Sequence, residues 1–287
     1  MTLEPCAHHG KTPPCTDAIL THGVTRVVYA AADPNPRARG GAEVLRTAGV
    51  EVTAGVEEQT ARDQNAPFFH RFGGTERPWI ALKLAVSLDC AVADAQRRSK
   101  WITGDPARQE THRLRAGFDA IGVGSGTALA DDPQLTVRGT LQPRRAPARV
   151  VWDRRLRMDI DSRLAQTAKQ IPVWVLTGAG ASEQRCSALE AVGVRVLRTR
   201  SLTEGLRALR DHGVDSLLVE GGAGIAGALL SGDHVDRLYL FYAPVLLGAG
   251  ALSAFAAVPA ASLERATRWR AIETERFGAD TLITLAR

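Results

Sequence analysis

The chain has 287 residues, of which 45% are hydrophobic and 23% are charged, and this composition excludes a disordered or fibrous protein. At about 150 residues per domain, the length suggests two domains or one large one. No stretch has the roughly 18 to 20 consecutive apolar residues of a membrane span, and the N-terminus lacks the basic-then-apolar pattern of a secretory signal. We therefore expect a cytoplasmic protein with no membrane partner.

The net charge is +5, and 32 of the 36 basic residues are arginines. This excess is compatible with an anionic partner, because arginine binds phosphate bidentately. It is equally compatible with codon composition, since Ala and Gly are also abundant. A nucleic-acid-binding module is disfavoured, because the arginines are spread over many predicted elements and no aromatic stripe accompanies them.

The first cysteines lie in a segment rich in metal-binding residue types. Cys6 and Cys15 each follow a proline, and His8 and His9 stand between them. Thiolate and imidazole groups are zinc ligands. A cysteine at the end of a strand and a second entering a helix are typical of half of a zinc-deaminase site, where three protein ligands and a water hold the metal. Two unrelated thiols in a turn are the alternative, but they would not explain the prolines.

An alternation of helices and strands follows this segment. The pattern predicts helices over residues 16–21 and 43–48 and strands over residues 26–32 and 50–54, which favours an α/β layer architecture. Residues 66–77, with Pro67, Gly73 and Gly74, end the pattern and are expected to carry a domain boundary, although a simple loop would look similar.

A buried type of strand over residues 79–89 is interrupted by Lys83. A lysine inside an apolar strand is costly unless it is paired or functional, so Lys83 is a candidate catalytic residue, with a salt-bridged strand lysine as the alternative. Asp105 and Pro106 then predict the N-cap and first turn of a helix that ends near Ala116.

Small residues follow the next strand, over residues 119–122. The turn 123–127 contains Gly124 and Gly126, and its amides suit a phosphate, although a plain β-turn has the same composition. Strands are predicted over residues 150–153 and 172–177.

The strongest nucleotide signal is late in the chain. A strand over residues 215–220 is followed by Gly222, Gly224 and Gly227, which satisfy G-x-G-x-x-G between a strand and a helix. The helix N-terminus offers free N–H groups to a dinucleotide phosphate, and Glu220 at the strand's carboxyl end faces the crevice where such ligands bind. The late position and the lack of an acidic ribose partner predict a strand order other than the Rossmann one. Residues 237–244 and 272–286 are predicted to be antiparallel edge strands.

Several motifs occur in an order that resembles a known family. They are Leu-Glu-Pro-Cys-x-His-His-Gly-x-Thr-Pro-Pro-Cys (3–15), Leu-Lys-Leu-x-x-Ser-Leu-Asp (82–89), Trp-Ile-Thr (101–103), Leu-Ala-Asp-Asp-Pro-x-Leu-Thr-Val-Arg (129–138) and Val-Glu-Gly-Gly (219–222). Over essentially its whole length the chain resembles the bifunctional riboflavin-biosynthesis deaminase/reductase family. The resemblance implies an α/β protein with two parts, a dihydrofolate-reductase-like reductase domain at 76–287 and, before it, the C-terminal part of a cytidine-deaminase-like α/β domain at 1–75.

The resemblance also implies the reaction and the site. A phosphorylated ribosylaminopyrimidine, 5-amino-6-(5-phosphoribosylamino)uracil, would be reduced to its ribitylamino product by NADPH in a homo-oligomeric enzyme. The implied cofactor contacts are Ala85, Trp101, Thr127, Asp131, Gly222, Ala223, Gly224 and Gly227. The implied substrate contacts are Ser99, Arg115, Leu135, Arg138 and Glu220, with Arg115 and Arg138 suited to the phosphate and with Lys83 and Glu220 as catalytic residues.

The chain departs from the family pattern in several places. Cys6 and Cys15 match the two thiolate zinc ligands, but the His-Ala-Glu motif that supplies the third ligand and the proton-shuttling Glu is absent from this sequence. We therefore expect an inactive deaminase half, with full bifunctional activity as the alternative if an upstream segment restores the motif. Cys90 replaces the family's usual glycine, and Arg97 and Arg98 replace small residues. A related NADPH reductase of another pyrimidine or pterin is a further alternative.

Overall fold

The computed structural model describes residues 1–287, and the chain divides into two compact units, Met1–Thr75 and Glu76–Arg287. None of the helices has the length and apolar character that crossing a bilayer requires.

The first unit is a small α/β layer. Its strands β1 (Arg26–Tyr29) and β2 (Glu51–Ala54) pair in parallel, and the helix between them provides the crossover that parallel strands need. Val27, Leu45 and Val50 form its core. The helices are α1 (Cys15–Thr21), α2 (Gly41–Thr47), α3 (Glu58–Gln64) and α4 (Ala66–Phe72).

Helix α4 corrects the expectation for residues 66–77, which were predicted to interrupt the pattern. Pro67 stands in the first turn of α4, where a missing N–H is harmless, and Gly73 is the C-cap. Phe69 packs beside the buried Ala30, Ala31 and Ala61. Residues 66–72 of the segment that was expected to carry a domain boundary therefore form a short helix that covers this unit's core.

The second unit is built on one sheet of nine strands, beside a separate pair of short strands. The eleven strands of this unit are β3 (Trp79–Val86), β4 (Ala91–Ala93), β5 (Ala120–Gly124), β6 (Ala148–Trp152), β7 (Val173–Thr177), β8 (Arg195–Arg198), β9 (Ser216–Glu220), β10 (Arg237–Tyr242), β11 (Leu252–Ser253), β12 (Arg270–Phe277) and β13 (Asp280–Ala286). Its helices are α5 (Asp105–Arg115), α6 (Ser125–Asp131), α7 (Arg163–Gln166), α8 (Glu183–Ala191), α9 (Leu202–Asp211) and α10 (Ala223–Ser231). The large sheet has the order β12-β13-β10-β3-β9-β5-β6-β7-β8, whereas β4 and β11 pair separately.

Seven neighbouring strands of this sheet, from β10 to β8, run parallel, and β12 and β13 are antiparallel. Parallel strands are covered on both faces, which explains why β3, β5, β6 and β9 are mostly apolar, with Lys83 and Arg149 as the charged residues inside β3 and β6. Because their carboxyl ends meet at one edge, the residues that end or follow them, such as Gly124, Trp152, Thr177 and Glu220, are brought to the same side of the unit.

Two sequence-based expectations about this unit are wrong. Strand β10 is not an edge strand, because it lies between β3 and β13 and its Phe241 is fully buried. The two edges of the sheet are β8 and β12, and β12 is a mostly exposed strand in which four of the eight residues are charged. The predicted turn 123–127 is a strand-to-helix junction, since Gly124 ends β5 and Ser125 begins α6.

Candidate active site

Three charged side chains converge where β3 and β9 run side by side. Lys83 and Glu220 are register partners on these two strands. Arg115, the last residue of α5, grips Glu220 with two hydrogen bonds, from Nε to Oε1 at 2.6 Å and from Nη2 to Oε2 at 2.7 Å. The Arg115 and Glu220 side chains are only 14% and 13% exposed. The two predicted catalytic residues therefore share one enclosed ionic cluster.

The electrostatics of this cluster are governed by burial. Burial lowers the pKa of Lys83, an effect that Glu220 opposes and Arg115 strengthens. Burial alone would raise the pKa of Glu220, but the charge and hydrogen bonds of Arg115, together with Lys83, outweigh it and hold that pKa below its usual value. Glu220 is thus a stable carboxylate, and Lys83 is a cation that gives up its proton more easily than an ordinary lysine.

Arg115, one of the two predicted phosphate ligands, is held by protein groups through all three nitrogens. Nη1 donates to the carbonyl of Thr136 at 2.8 Å, and Nε and Nη2 bind Glu220, so that Nη1 and Nη2 each keep a second N–H that these bonds do not use. Arg138 is exposed, and its only side-chain bond is from Nη2 to Gln134 Oε1 at 2.7 Å. Of the two predicted phosphate ligands, Arg138 is the more exposed.

The remaining predicted substrate residues differ in their exposure. Ser99 is exposed in the loop before Trp101. The Leu135 side chain is 4% exposed and packs in the hydrophobic core, with a backbone φ of 50°. Leu135 therefore offers a ligand its backbone rather than its side chain.

A cavity of about 480 Å³ opens at the carboxyl ends of the parallel strands. Its lining comes from β5 and α6, from the segments after β6 and β8, and from the start of α10. The lining residues are Gly124, Ser125, Gly126, Thr127, Trp152, Asp153, Arg154, Arg155, Arg157, Leu176, Thr177, Thr199, Arg200, Ser201, Leu202, Gly222, Gly224, Ile225 and Ala228. A crevice at this edge of an open α/β sheet is where such folds bind nucleotides.

The three glycines of the G-x-G-x-x-G motif have two different roles. Gly222 is the N-cap of α10, and Gly222 and Gly224 line the cavity, with open space around Gly224. A Cβ on Gly227 would lie 2.4 Å from Cβ of Ala257, so Gly227 permits close packing. The first two glycines leave the helix N-terminus accessible to a phosphate, whereas the third serves the fold.

The cavity contains Thr127, Gly222 and Gly224 of the predicted cofactor residues, but not the other five. Ala223 is buried, and Ala85 lies on β3. Trp101 is 72% exposed, and the guanidinium of Arg108 lies 4.5 Å from the center of its ring. The Asp131 carboxylate pairs with Lys100 at 3.3 Å.

The basic part of the cavity was not predicted from the sequence. Arg154, Arg155 and Arg157 follow β6, and Arg200 follows β8. A signal was present, because a charged run directly after a parallel strand lies at the ligand-binding edge. It was hidden by the abundance of arginine elsewhere in the chain.

The departures from the family pattern are accommodated locally. Cys90 adopts a φ of 58°, the left-handed conformation that glycine prefers, and its Sγ lies 3.8 Å from the Tyr242 hydroxyl. Burial, together with Cys90, raises the pKa of Tyr242 to about 12. Arg97 has a φ of 65° in an exposed turn, and Arg98 pairs with Asp94 at 2.7 Å. Neither arginine lines the cavity.

In the first unit, Cys6 and Cys15 are brought together. Their Sγ atoms are 3.5 Å apart, and the Cys15 amide donates to Cys6 Sγ. This spacing suits two thiolates on one zinc ion, since Zn–S bonds of about 2.3 Å place tetrahedral sulfurs a little under 4 Å apart. Neither His8 nor His9 joins them, and no group of three metal-binding side chains occurs in residues 1–287.

A largely parallel sheet with an antiparallel hairpin at one edge and a cavity at its carboxyl edge is the architecture expected of a dihydrofolate-reductase-like reductase. Residues 78–283 match the RibD C-terminal domain family. The chain is 39% identical over 289 residues to riboflavin biosynthesis protein RibD of Mycobacterium tuberculosis (strain ATCC 25618 / H37Rv), covering 99% of this chain and 77% of that protein. The chain belongs to the RibD family and carries its C-terminal reductase domain.

Solved structures agree with this assignment. The crystal structure of a diaminohydroxyphosphoribosylaminopyrimidine deaminase/5-amino-6-(5-phosphoribosylamino)uracil reductase from Thermotoga maritima superimposes with a TM-score of 0.81 at 34% identity, covering 99% of this chain and 78% of that chain. Riboflavin biosynthesis reductase Rib7 of Saccharomyces cerevisiae shares the fold, with a TM-score of 0.57 at 21% identity over 78% of this chain and 98% of that one.

Proposed function

We propose that this chain reduces the ribosyl group of 5-amino-6-(5-phosphoribosylamino)uracil to a ribityl chain with NADPH. The observation that carries the proposal is the continuity of the ionic cluster with the cavity. Glu220 ends β9, and the next residues, Gly221 and Gly222, lead into the N-terminus of α10 at the cavity wall. The groups suited to the sugar therefore lie within two residues of those suited to the cofactor.

The cavity residues fit a dinucleotide. The lining residue Trp152 has a buried Nε1 with no hydrogen-bond partner, whereas Asp153 Oδ1 accepts no hydrogen bond but lies 3.8 Å from Arg157 Nε. The helix N-terminus at Gly222 and Gly224 suits the pyrophosphate. NADPH, when bound, supplies the hydride.

The ionic cluster is assigned to proton donation and hydrogen bonding at the reacting sugar. Reduction at the anomeric carbon opens the ribose ring, and the released ring oxygen must take up a proton. The Lys83 ammonium is the proton donor of the cluster and stabilises negative charge on that oxygen. Glu220, kept ionised and oriented by Arg115, accepts hydrogen bonds from sugar hydroxyls. Arg138 binds the substrate phosphate as a charge-assisted donor.

The proposed reaction is tested by following NADPH oxidation with the ribosylaminouracil substrate and identifying the product by mass. We expect a product two mass units heavier than the substrate, formed with one NADPH oxidised per molecule, because hydride and proton are added together. Oxidation of NADPH only with a different pyrimidine or with a pterin would favour the related-reductase alternative. No oxidation with any of these compounds would overturn the proposal.

The arginines that line the cavity are assigned to the 2′-phosphate of NADPH. Arg154, Arg155 and Arg200 are exposed, line the cavity and form no ion pair with a carboxylate. Most other lining residues are neutral, so these arginines favour a dianion. Arg157 is less available, because it donates to Ser125 Oγ at 2.9 Å.

Arg154→Ala and Arg200→Ala are expected to weaken NADPH binding and to leave NADH binding nearly unchanged. Each substitution removes a charge-assisted contact to the 2′-phosphate, and we expect each to lower the affinity for NADPH roughly 10-fold. Calorimetric titration with both nucleotides measures the change. Arg145→Ala is the matched control, because Arg145 is exposed, unpaired and outside the cavity. Equal weakening of NADPH and NADH would contradict the assignment.

For the first unit we propose the C-terminal part of a zinc-deaminase domain, with Cys6 and Cys15 as its two thiolate ligands. The 3.5 Å separation of the sulfurs supports this assignment. A deaminase zinc needs a third protein ligand and a catalytic glutamate. Residues 1–75 bring no third ligand to the thiols, so we assign no catalytic step to zinc. We also propose that the whole chain forms a homo-oligomer, as its resemblance to the family implies.

A further inference from the structure

The segment 133–138, called the strap below, carries Arg138 past the ionic cluster. It has no helix or strand, and none of its residues takes part in a backbone–backbone hydrogen bond. Its anchors are therefore side chains. Leu135 is buried in the core, and the carbonyl of Thr136 accepts hydrogen bonds from two residues of α5.

These two residues are His112 and Arg115. His112 Nδ1 lies 3.2 Å from the Thr136 oxygen, and Arg115 Nη1 lies 2.8 Å from the same oxygen. The two residues are three positions apart on α5, which places them on one face of the helix. They hold the strap at its middle, two residues before Arg138.

The proton on the His112 ring is determined by its partners. A carbonyl oxygen only accepts hydrogen bonds, so Nδ1 must carry the hydrogen that Thr136 receives. The 3.4 Å contact between Arg115 Nη1 and His112 Nδ1 then joins two donors and is not a hydrogen bond. Nε2 is the nitrogen without a proton in the neutral ring. Burial lowers the pKa of His112, and Arg115 lowers it further, which keeps the ring neutral.

We propose that His112 is a positioning residue for the reductase, acting through the Thr136 carbonyl to hold the strap and thereby Arg138 toward the substrate phosphate. This inference rests on the proposed function, because the role of Arg138 presupposes a phosphorylated substrate. His112 is hydrogen-bonded to the strap and not to Glu220 or Lys83. Arg115 shares the Thr136 carbonyl through Nη1, but its other two nitrogens are bound to Glu220, so that His112 is the partner of this carbonyl that is not also tied to the ionic cluster.

The test compares three variants that differ in where they keep a donor. Asn places its amide nitrogen near the position of Nδ1, Gln reaches the position of Nε2, and Ala keeps neither. We expect His112→Ala and His112→Gln to raise the KM for the ribosylaminouracil substrate roughly 5- to 10-fold, the factor of one net hydrogen bond, with little change in kcat. We expect His112→Asn to restore a KM close to that of the wild type. NADPH affinity, measured by titration, should be the same in all variants.

Two further measurements separate the possible failures. Wild-type turnover of the substrate tests the proposed function on its own, so its absence would refute that function rather than the role of His112. Urea unfolding of each variant identifies loss of folding, and rescue by Asn but not Gln is not expected from a general packing defect. A wild-type KM in His112→Ala, a fall in kcat at unchanged KM, or equal behaviour of the Asn and Gln variants would overturn the proposal.

Discussion

Replacing Lys83 by methionine is expected to lower kcat for the reduction by roughly 100- to 1,000-fold, the loss typical when one preorganised donor to a developing oxyanion is removed. Methionine keeps the apolar stem beside Phe241, whose ring center lies 5.2 Å from Nζ. Glu220 stays paired with Arg115, so the folded state loses no obligatory partner. Steady-state and single-turnover NADPH oxidation measure the effect, and NADPH affinity is the control. Wild-type turnover would remove Lys83 from the mechanism.

The pH dependence of kcat provides a second readout of the same residue. Burial lowers the pKa of Lys83, so the wild-type rate should fall on the alkaline side at a pH below the ordinary lysine value of 10.5. Lys83→Arg keeps a cation at every accessible pH and should remove this limb, although its rate is lower because the guanidinium is larger and a poor acid. An alkaline limb that persists unchanged in Lys83→Arg would show that another group titrates.

Replacing Glu220 by glutamine is expected to lower the free energy of unfolding by about 3 to 5 kcal/mol, the cost of removing one partner from a buried ion pair. The variant leaves Arg115 and Lys83 together in an enclosed site without a counter-charge. Chemical denaturation in urea measures this loss. Arg115→Met combined with Glu220→Gln is the matched control and should recover part of the stability, because it removes the stranded cation. Stability equal to the wild type in the single variant would show that the pair contributes little.

This loss should depend on pH in a defined direction. Glu220 raises the pKa of Lys83, so its removal lowers that pKa further below the unfolded value of 10.5. A cation with a depressed folded pKa binds fewer protons in the folded state than in the unfolded state, so stability rises with pH. The destabilisation of Glu220→Gln should therefore be largest on the acidic side of the Lys83 transition and should shrink as the pH rises through it.

Local patterns were sufficient to predict the strand and the helix at the candidate cofactor site. The strand ending at Glu220 and the helix after Gly222 follow from the apolar sequence and the glycines, and the structure has them at Ser216–Glu220 and Ala223–Ser231. Short helices were harder to predict. Helix α4 contains proline and three phenylalanines, a composition that does not indicate a helix. Its packing on buried alanines involves residues distant in sequence, which a local pattern does not show. Strand β10 was misplaced because its neighbours are set by long-range pairing, which spacing does not encode.

For the site, the residue types were predictable but their pairings were not. Lys83 stood out because a buried lysine is costly, and Glu220 because it ends a strand before glycines. That Arg115 binds Glu220 depends on a contact across 105 residues, which no local pattern reports. His112 could not be predicted as a site residue, because a histidine on a helix is ordinary and its hydrogen bond to the Thr136 carbonyl is visible only in the structure. The roles of these residues stay predictions.

The register of β3 against β9 has a consequence for how the enzyme can become functional during folding. Lys83 faces Glu220 only in the observed pairing, and a slip of one residue would turn the Glu220 side chain to the opposite face of the sheet. Gly222 and the start of α10 are held beside the cavity by the other ladder of β9, in which it pairs with β5. The proposed sugar chemistry and cofactor binding therefore depend on two different hydrogen-bonded ladders of one strand, and a nascent chain that closes only one of them gains only one of the two capacities.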